Sequence, residues 1–213
     1  MADSPLPSQE SLFITDKHHQ LHLRHIHHND NGAPVLMIHG AIENGKIFYT
    51  ESGKGLGCYL AEQGFDVFVA DMRGRGKSTP PIRDDQAHDQ TDQITRDIPL
   101  MIEFIWQRTG QPVHIICHSW GGILVASALA RFPKLVEKVR SQVCFGSKRS
   151  VYARNLEKLI KVDLIWKWLS PLIARQKGYL PAKQYKIGSD DETRESLRQS
   201  VHWVKHTPWR DTR

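Results

Sequence analysis

Short runs of consecutive apolar residues alternate along the first two thirds of the chain with longer segments in which apolar positions recur every three or four residues. Residues 35–38 (Val-Leu-Met-Ile), 67–70 (Val-Phe-Val-Ala) and 113–117 (Val-His-Ile-Ile-Cys) are of the first kind, the pattern of parallel strands buried on both faces. Residues 56–63, 95–109 and 122–132 are of the second kind, with Ile98, Ile102, Ile105 and Trp106 forming one stripe, and are predicted to be helices. Residues 139–145 make the next strand, although Arg140, Ser141 and Gln142 interrupt it. Strand and helix in alternation predict an α/β fold, a mostly parallel sheet with helices on both faces. Ahead of it, residues 11–17 and 20–27 alternate as two short strands of an opening hairpin, and Asn29-Asp30-Asn31-Gly32 is a strong turn signal. From Ser147 onward Leu156, Leu159, Ile160, Leu164 and Trp168 recur at helical spacing. This predicts a helical cap, with the acidic run Asp190-Asp191-Glu192 starting a further helix. The expected division is a flexible 1–10, an α/β core over 11–147 and a cap over 148–213.

Composition narrows the class. At 213 residues, 39% hydrophobic and 24% charged, the chain fits one globular domain with an insertion and excludes disordered or collagen-like polymers. No apolar stretch approaches the roughly 18 residues of a membrane span, and the first ten residues hold no secretory apolar core. Cys58, Cys117 and Cys144 are odd in number and unrelated in spacing, which argues against a disulfide framework and for a reducing, cytoplasmic setting. Residues 1–147 carry 14 Lys/Arg against 16 Asp/Glu, and 148–213 carry 15 against 7. The basic excess of 148–213 suits peripheral contact with anionic lipid, or simply a solvated helical surface. Six histidines fall within residues 18–28. Their spacing matches no zinc pattern and an extended strand would send them to opposite faces, so they are expected to be a solvated edge that binds no metal.

The chemistry concentrates in His118-Ser119-Trp120-Gly121-Gly122, between a buried strand and an apolar helix. A serine on such a turn is the nucleophile elbow, where the hydroxyl is exposed and the next backbone N–H points at the substrate oxygen. The usual G-x-S-x-G has Cys117 in place of its first glycine. A second strand leads directly into His39-Gly40-Ala41, so the N–H groups of Ala41 and Trp120 are candidates for an oxyanion hole around Ser119. His39, Gly40, His118 and Gly121 are the supporting turn residues.

These segments, together with Asp71-Met-Arg73-Gly74-Arg-Gly76-Lys-Ser78, closely resemble the α/β-hydrolase superfamily over roughly residues 11–150. "LGCYLAEQGFDVFVADMRGRGKS" and "TRDIPLMIEFIWQRTGQPVHIICHSWGG" look like its esterase and lipase branch, which includes acid lipases. The resemblance implies hydrolysis of a carboxylic ester, small or lipid, through an acyl-serine. It implies no cofactor and no nucleic-acid partner, and a helical cap after the sixth strand. It also places the catalytic acid and histidine on loops beyond the cap. Downstream of Ser119 the only histidines are His202 and His206, in a helical context, so the chain is expected to be a truncated and nearly inert form.

Two other readings remain open. Gly40-Ala-Ile-Glu-Asn-Gly45-Lys46 fits the nucleotide-binding P-loop pattern, but Ile47 stands where a serine or threonine would hold Mg²⁺ and Glu43 would oppose phosphate. The other is a catalytically silent hydrolase fold that binds an apolar ligand under its cap.

Overall fold

The computed structural model describes residues 6–28, 31–149, 155–156 and 159–205, the side chains of 161–163 and 205 excepted. Asn29, Asp30, His206 and the first five residues lie outside that set. The chain opens with a hairpin, β1 (Ser8–Asp16) and β2 (His19–His27). Then follow β3 (Pro34–Ile38), α1 (Leu56–Glu62), β4 (Asp66–Asp71), α2 (Ile98–Thr109), β5 (Val113–His118), α3 (Trp120–Arg131), α4 (Pro133–Val136) and β6 (Val139–Phe145). A π-helical turn, Gln93–Asp97, leads into α2. The strands form one sheet in the order β1-β2-β4-β3-β5-β6. β1 and β2 are antiparallel to their neighbours, and β4, β3, β5 and β6 run parallel. The sheet is therefore the mostly parallel, helix-flanked one that the alternating pattern predicts.

The continuous apolar runs divide between two cores because successive strand residues face opposite ways. Leu36, Ile38, Phe68 and Ala70 pack with Ile98, Ile102 and Val125 on one face. Val35, Met37, Val67 and Val69 pack with Cys58 and Ala61 on the other. From β3 the chain crosses to β4 on one side, and from β5 it crosses to β6 on the other. The carboxyl ends of β3 and β5 thus flank the point where the winding reverses, which is where open α/β sheets form their ligand crevice.

Two expectations are corrected and a third is refined. The sheet begins earlier than a flexible 1–10 allows, since Ser8 to Glu10 already pair with His27 to His25. The histidine-rich strand is not a solvated edge. β2 lies inside the sheet, and His19, His22 and His25 are buried because each meets a carboxylate. His22 Nδ1 is 2.7 Å from Asp71 Oδ2 and its Nε2 is 2.9 Å from Ser11 Oγ. His25 is held between Glu10 and Asp66. The acidic run 190–192 is followed, as expected, by a helix that starts at Arg194, with Thr193 Oγ1 accepting Ser196 N–H at 3.1 Å, while the acids themselves reach the core. Asp190 accepts Gly76 N–H at 2.6 Å and Asn44 Nδ2 at 3.1 Å, and Glu192 pairs with buried Arg75.

Those contacts dock the cap on the core. A π-helical segment Leu159–Leu169 runs into α5 (Ser170–Lys177), a short antiparallel pair follows, β7 (Tyr179–Leu180) with β8 (Glu192–Thr193), and α6 (Arg194–Lys205) closes the described chain. Ala174, Leu180, Ala182, Leu197 and Val201 form a third apolar cluster, against which Ile42 and Trp166 pack. At the far edge β6 is exposed, with Val143 and Phe145 open to solvent. Among the described residues no helix is long and apolar enough to cross a membrane.

Candidate active site

The chain reverses sharply between β5 and α3. Ser119 N–H still donates to Phe145 O at 2.8 Å, continuing the β5–β6 ladder, and the next residue is already helical. The single residue that makes this bend, Ser119, has φ 48° and ψ −120°. These are the angles of the first central position in a type II′ turn, which glycine adopts and L-residues avoid. A strained serine at a helix start is an observation that calls for a function. Its side chain makes no capping bond to the helix, so the alternative of an ordinary N-cap serine does not hold.

Glycines make the bend possible by letting β3 close on it. A β-carbon on Gly121 would overlap the carbonyl oxygen of His39 and stand 2.8 Å from that of Ile38, and one on Gly40 would stand 2.9 Å from Ser119 Cβ. His39 is buried and fully engaged: its Nδ1–H donates to Gly40 O at 2.8 Å and its Nε2 accepts Met72 N–H at 3.1 Å. Burial, with Arg75 nearby, holds its pKa below the ordinary value. This neutral ring ties the β3 loop to the β4 loop and has no nitrogen left to activate Ser119.

Ser119, Ala41 and Trp120 all line one cavity of about 510 Å³ between core and cap. Ala41 N–H donates to no described acceptor, and Trp120 N–H is one of the donors that the geometry of a helix start leaves unpaired. The walls are otherwise largely apolar, with Ile42, Ile47, Trp166, Ile187 and Val204, while Glu43, Lys148 and Arg149 bring charge. No described histidine lines it. His202 is exposed on α6. The Trp120 indole donates to Gln90 Oε1 at 2.7 Å and lies 6.1 Å from the Trp203 ring, so it closes the cavity floor under the cap.

The sequence reading missed Glu43 as a member of this site. Its Oε2 accepts Gly40 N–H at 2.7 Å and a bond from His118 Nδ1 at 2.8 Å, which locks the two turns together. The signal was local: a carboxylate three residues after a loop glycine can reach back to that glycine's N–H. The P-loop reading fails for the same reason. Glu43 takes the Gly40 amide, and Asp71 takes those of Gly45 at 2.7 Å and Lys77 at 2.9 Å. Lys46 pairs with Glu51 at 2.8 Å. With both of its glycine amides and its one cation engaged, that loop forms no phosphate cradle. The basic loop 71–78 is likewise turned inward, with Arg73 on Asp97 and Asp16 and Arg75 on Glu192. Ser11, His22 and Asp71 repeat a Ser-His-Asp order, but Ser11 sits in a regular strand without the strained bend of Ser119.

The profile of the alpha/beta hydrolase fold matches residues 33–171. The chain is 30% identical over 160 residues to the human lysosomal acid lipase/cholesteryl ester hydrolase, an alignment covering 68% of this chain and 40% of that protein. It is 26% identical over 209 residues to the rat gastric triacylglycerol lipase, covering 90% of this chain and 52% of that one. It thus spans about half or less of the length of these relatives. Among solved structures, a monoglyceride lipase of Saccharomyces cerevisiae superposes with a TM-score of 0.64 over 95% of this chain and 70% of that chain, at 17% identity. The chain belongs to the α/β-hydrolase fold family, with its likeness in sequence falling on the lipases.

Proposed function

We propose that the chain carries the nucleophile, the oxyanion site and part of the substrate pocket of a serine hydrolase that cleaves carboxylic esters with an apolar acyl group. The observation that carries this reading is the strained bend at Ser119, which aims into a cavity beside two uncommitted amides. Ser119 Oγ attacks the ester carbonyl. The carbonyl oxygen becomes an oxyanion held by Ala41 N–H and Trp120 N–H, each such donor being worth about 2.7–4 kcal/mol in the transition state. Collapse breaks the bond to the alcohol, whose oxygen takes the serine proton by way of a base, and water then releases the acid from the acyl-serine. Ile42, Ile47, Trp166 and Val204 form an apolar wall for the acyl chain, and about 510 Å³ is the size of an ordinary small-ligand pocket.

No described histidine lines the cavity, and this reading assigns neither the base nor its acid partner to a described residue. Losing the base alone can lower kcat by about a millionfold. We therefore expect residues 1–213 by themselves to turn over p-nitrophenyl esters no faster than their Ser119→Ala variant. Added imidazole, which supplies the missing base, should raise turnover in the parent chain only, once the rate at which imidazole alone hydrolyses the ester is subtracted. Imidazole-dependent turnover of equal size in Ser119→Ala would refute the assignment. A pocket that binds an apolar ligand without chemistry is the second reading, favoured by the absence of a lining histidine among the described residues. It predicts ligand binding with no imidazole effect at all.

Peripheral contact with anionic lipid is proposed for the outer cap. Leu164, Trp168 and Leu172 are exposed there beside Lys167 and Arg175, around a shallow groove. Apolar side chains ringed by cations suit the boundary between headgroups and acyl chains. A cytoplasmic setting remains part of the proposal and rests on the odd number of cysteines alone.

A further inference from the structure

We propose that His18, His19 and Asp85 bind one divalent transition-metal ion, zinc foremost, which clips the β1–β2 turn to the loop preceding Gln90. The site is separate from the Ser119 cavity and does not depend on the function assigned to it. Along a strand these histidines would diverge, but here the chain is turning. Lys17 has φ 56°, and the turn brings the rings of His18 and His19 side by side, centroids 4.2 Å apart. Asp85 approaches from a distant loop, its Oδ2 2.7 Å from His18 Nε2 and 3.4 Å from His19 Nε2. Ligands held at zinc distances in a tetrahedron stand about 3.3 Å from one another. The donor atoms thus already have nearly the spacing the ion would impose, and all three lie within 4.8 Å of one another.

Two further observations point to a ligand. Asp85 is oriented by a second bond, its Oδ1 accepting Ala87 N–H at 2.8 Å, the kind of outer support that fixes a metal-binding carboxylate. His88 is buried, and neither of its ring nitrogens has a hydrogen-bond partner among the described residues. It stands edge-on to His19 with centroids 5.6 Å apart, close to the roughly 5 Å expected of two imidazoles sharing a tetrahedral ion. A buried imidazole with no partner is costly, and His88 stands beside the cluster although it is not one of the three whose donor atoms lie within 4.8 Å of one another. The other histidine cluster, Glu10, His25 and His27, offers less, because both ring nitrogens of His25 are already taken by carboxylates. Two imidazoles and a carboxylate suit zinc above magnesium or calcium, which prefer oxygen. The loop so fastened runs into Gln90, the acceptor of the Trp120 indole, so the clip would steady one wall of the ester site from outside it.

The test is zinc binding by the untagged chain. After dialysis against Zn²⁺ and removal of free metal, elemental analysis should find one zinc per chain, and Zn²⁺ but not Mg²⁺ should raise the melting temperature. His18→Ala and Asp85→Asn should each weaken zinc binding by at least the roughly 10–100-fold typical of losing even an outer-shell partner. His18 is two-thirds exposed, so His18→Ala should melt like the parent without metal while losing the zinc-dependent shift. No bound zinc in the parent, zinc retained by both variants, or zinc lost on Glu10→Gln but kept in His18→Ala would each overturn the proposal.

Discussion

Replacing Ser119 by glycine should stabilise the protein while abolishing whatever chemistry it performs. The reason is the backbone at φ 48°, ψ −120°, where a β-carbon costs on the order of 1–3 kcal/mol. Glycine removes that cost but enlarges the unfolded ensemble by about 0.4–1 kcal/mol, so a net gain of about 0.5–2 kcal/mol is expected. For a chain of this size that is a rise of roughly 1–8 °C in melting temperature. Ser119→Ala keeps the β-carbon and its strain. The serine makes no capping bond, so alanine should change stability by less than about 0.5 kcal/mol. Urea denaturation of the three proteins, with equal m-values, measures both differences. A loss near 1 kcal/mol in Ser119→Ala, as for a capping serine, or a destabilised Ser119→Gly, would show that the bend is not strained as described.

Gly121→Ala should destabilise by about 1–3 kcal/mol through overpacking, because its β-carbon meets two backbone carbonyls that cannot rotate away. Equilibrium unfolding checks this, and a neutral variant would mean that β3 and α3 are not in close contact. Asp16, held by Arg96 and then Arg73 against the opposing effect of burial, has its pKa lowered to about 2. A carboxyl depressed in the folded state stabilises fully above its unfolded value near 4, and that share is lost as pH falls through about 2. Urea midpoints measured from pH 5 down to 2 should therefore fall less steeply in Asp16→Asn than in the parent. Trp168→Ser and Lys167→Glu should each weaken sedimentation with vesicles containing phosphatidylserine. Unchanged binding in both would remove the outer cap as the lipid contact.

The layout of the sheet was legible because its signals are local. Three buried runs, the helical stripes between them and the Gly-rich bend at 121–122 each state their own structure, and even interrupted β6 begins and ends where its pattern does. The histidines of β2 were misread because their exposure depends on which strand pairs beyond them. No pattern within residues 18–28 reveals that Asp66 and Asp71 arrive from β4. Asp85 reaches the hairpin turn across an equally long separation, so the cluster at His18 and His19 leaves no trace as a spacing. The run 190–192 did announce the helix that follows it. Its contacts with the amide of Gly76 and buried Arg75 were not legible, because those partners lie more than a hundred residues away. At the candidate site the nucleophile position and the two amides came from motif order, whereas Glu43 and Gln90 came only from the folded contacts.

Incubation with a fluorophosphonate followed by peptide mass mapping tests the role of Ser119 most directly, since the reagent forms a stable bond only with an activated hydroxyl at an oxyanion site. The account predicts a single adduct on the peptide bearing Ser119, formed when imidazole is added, no more than marginal without it, and absent from Ser119→Ala. An adduct on Ser11 or another serine, or none on Ser119 at any imidazole concentration, would contradict it.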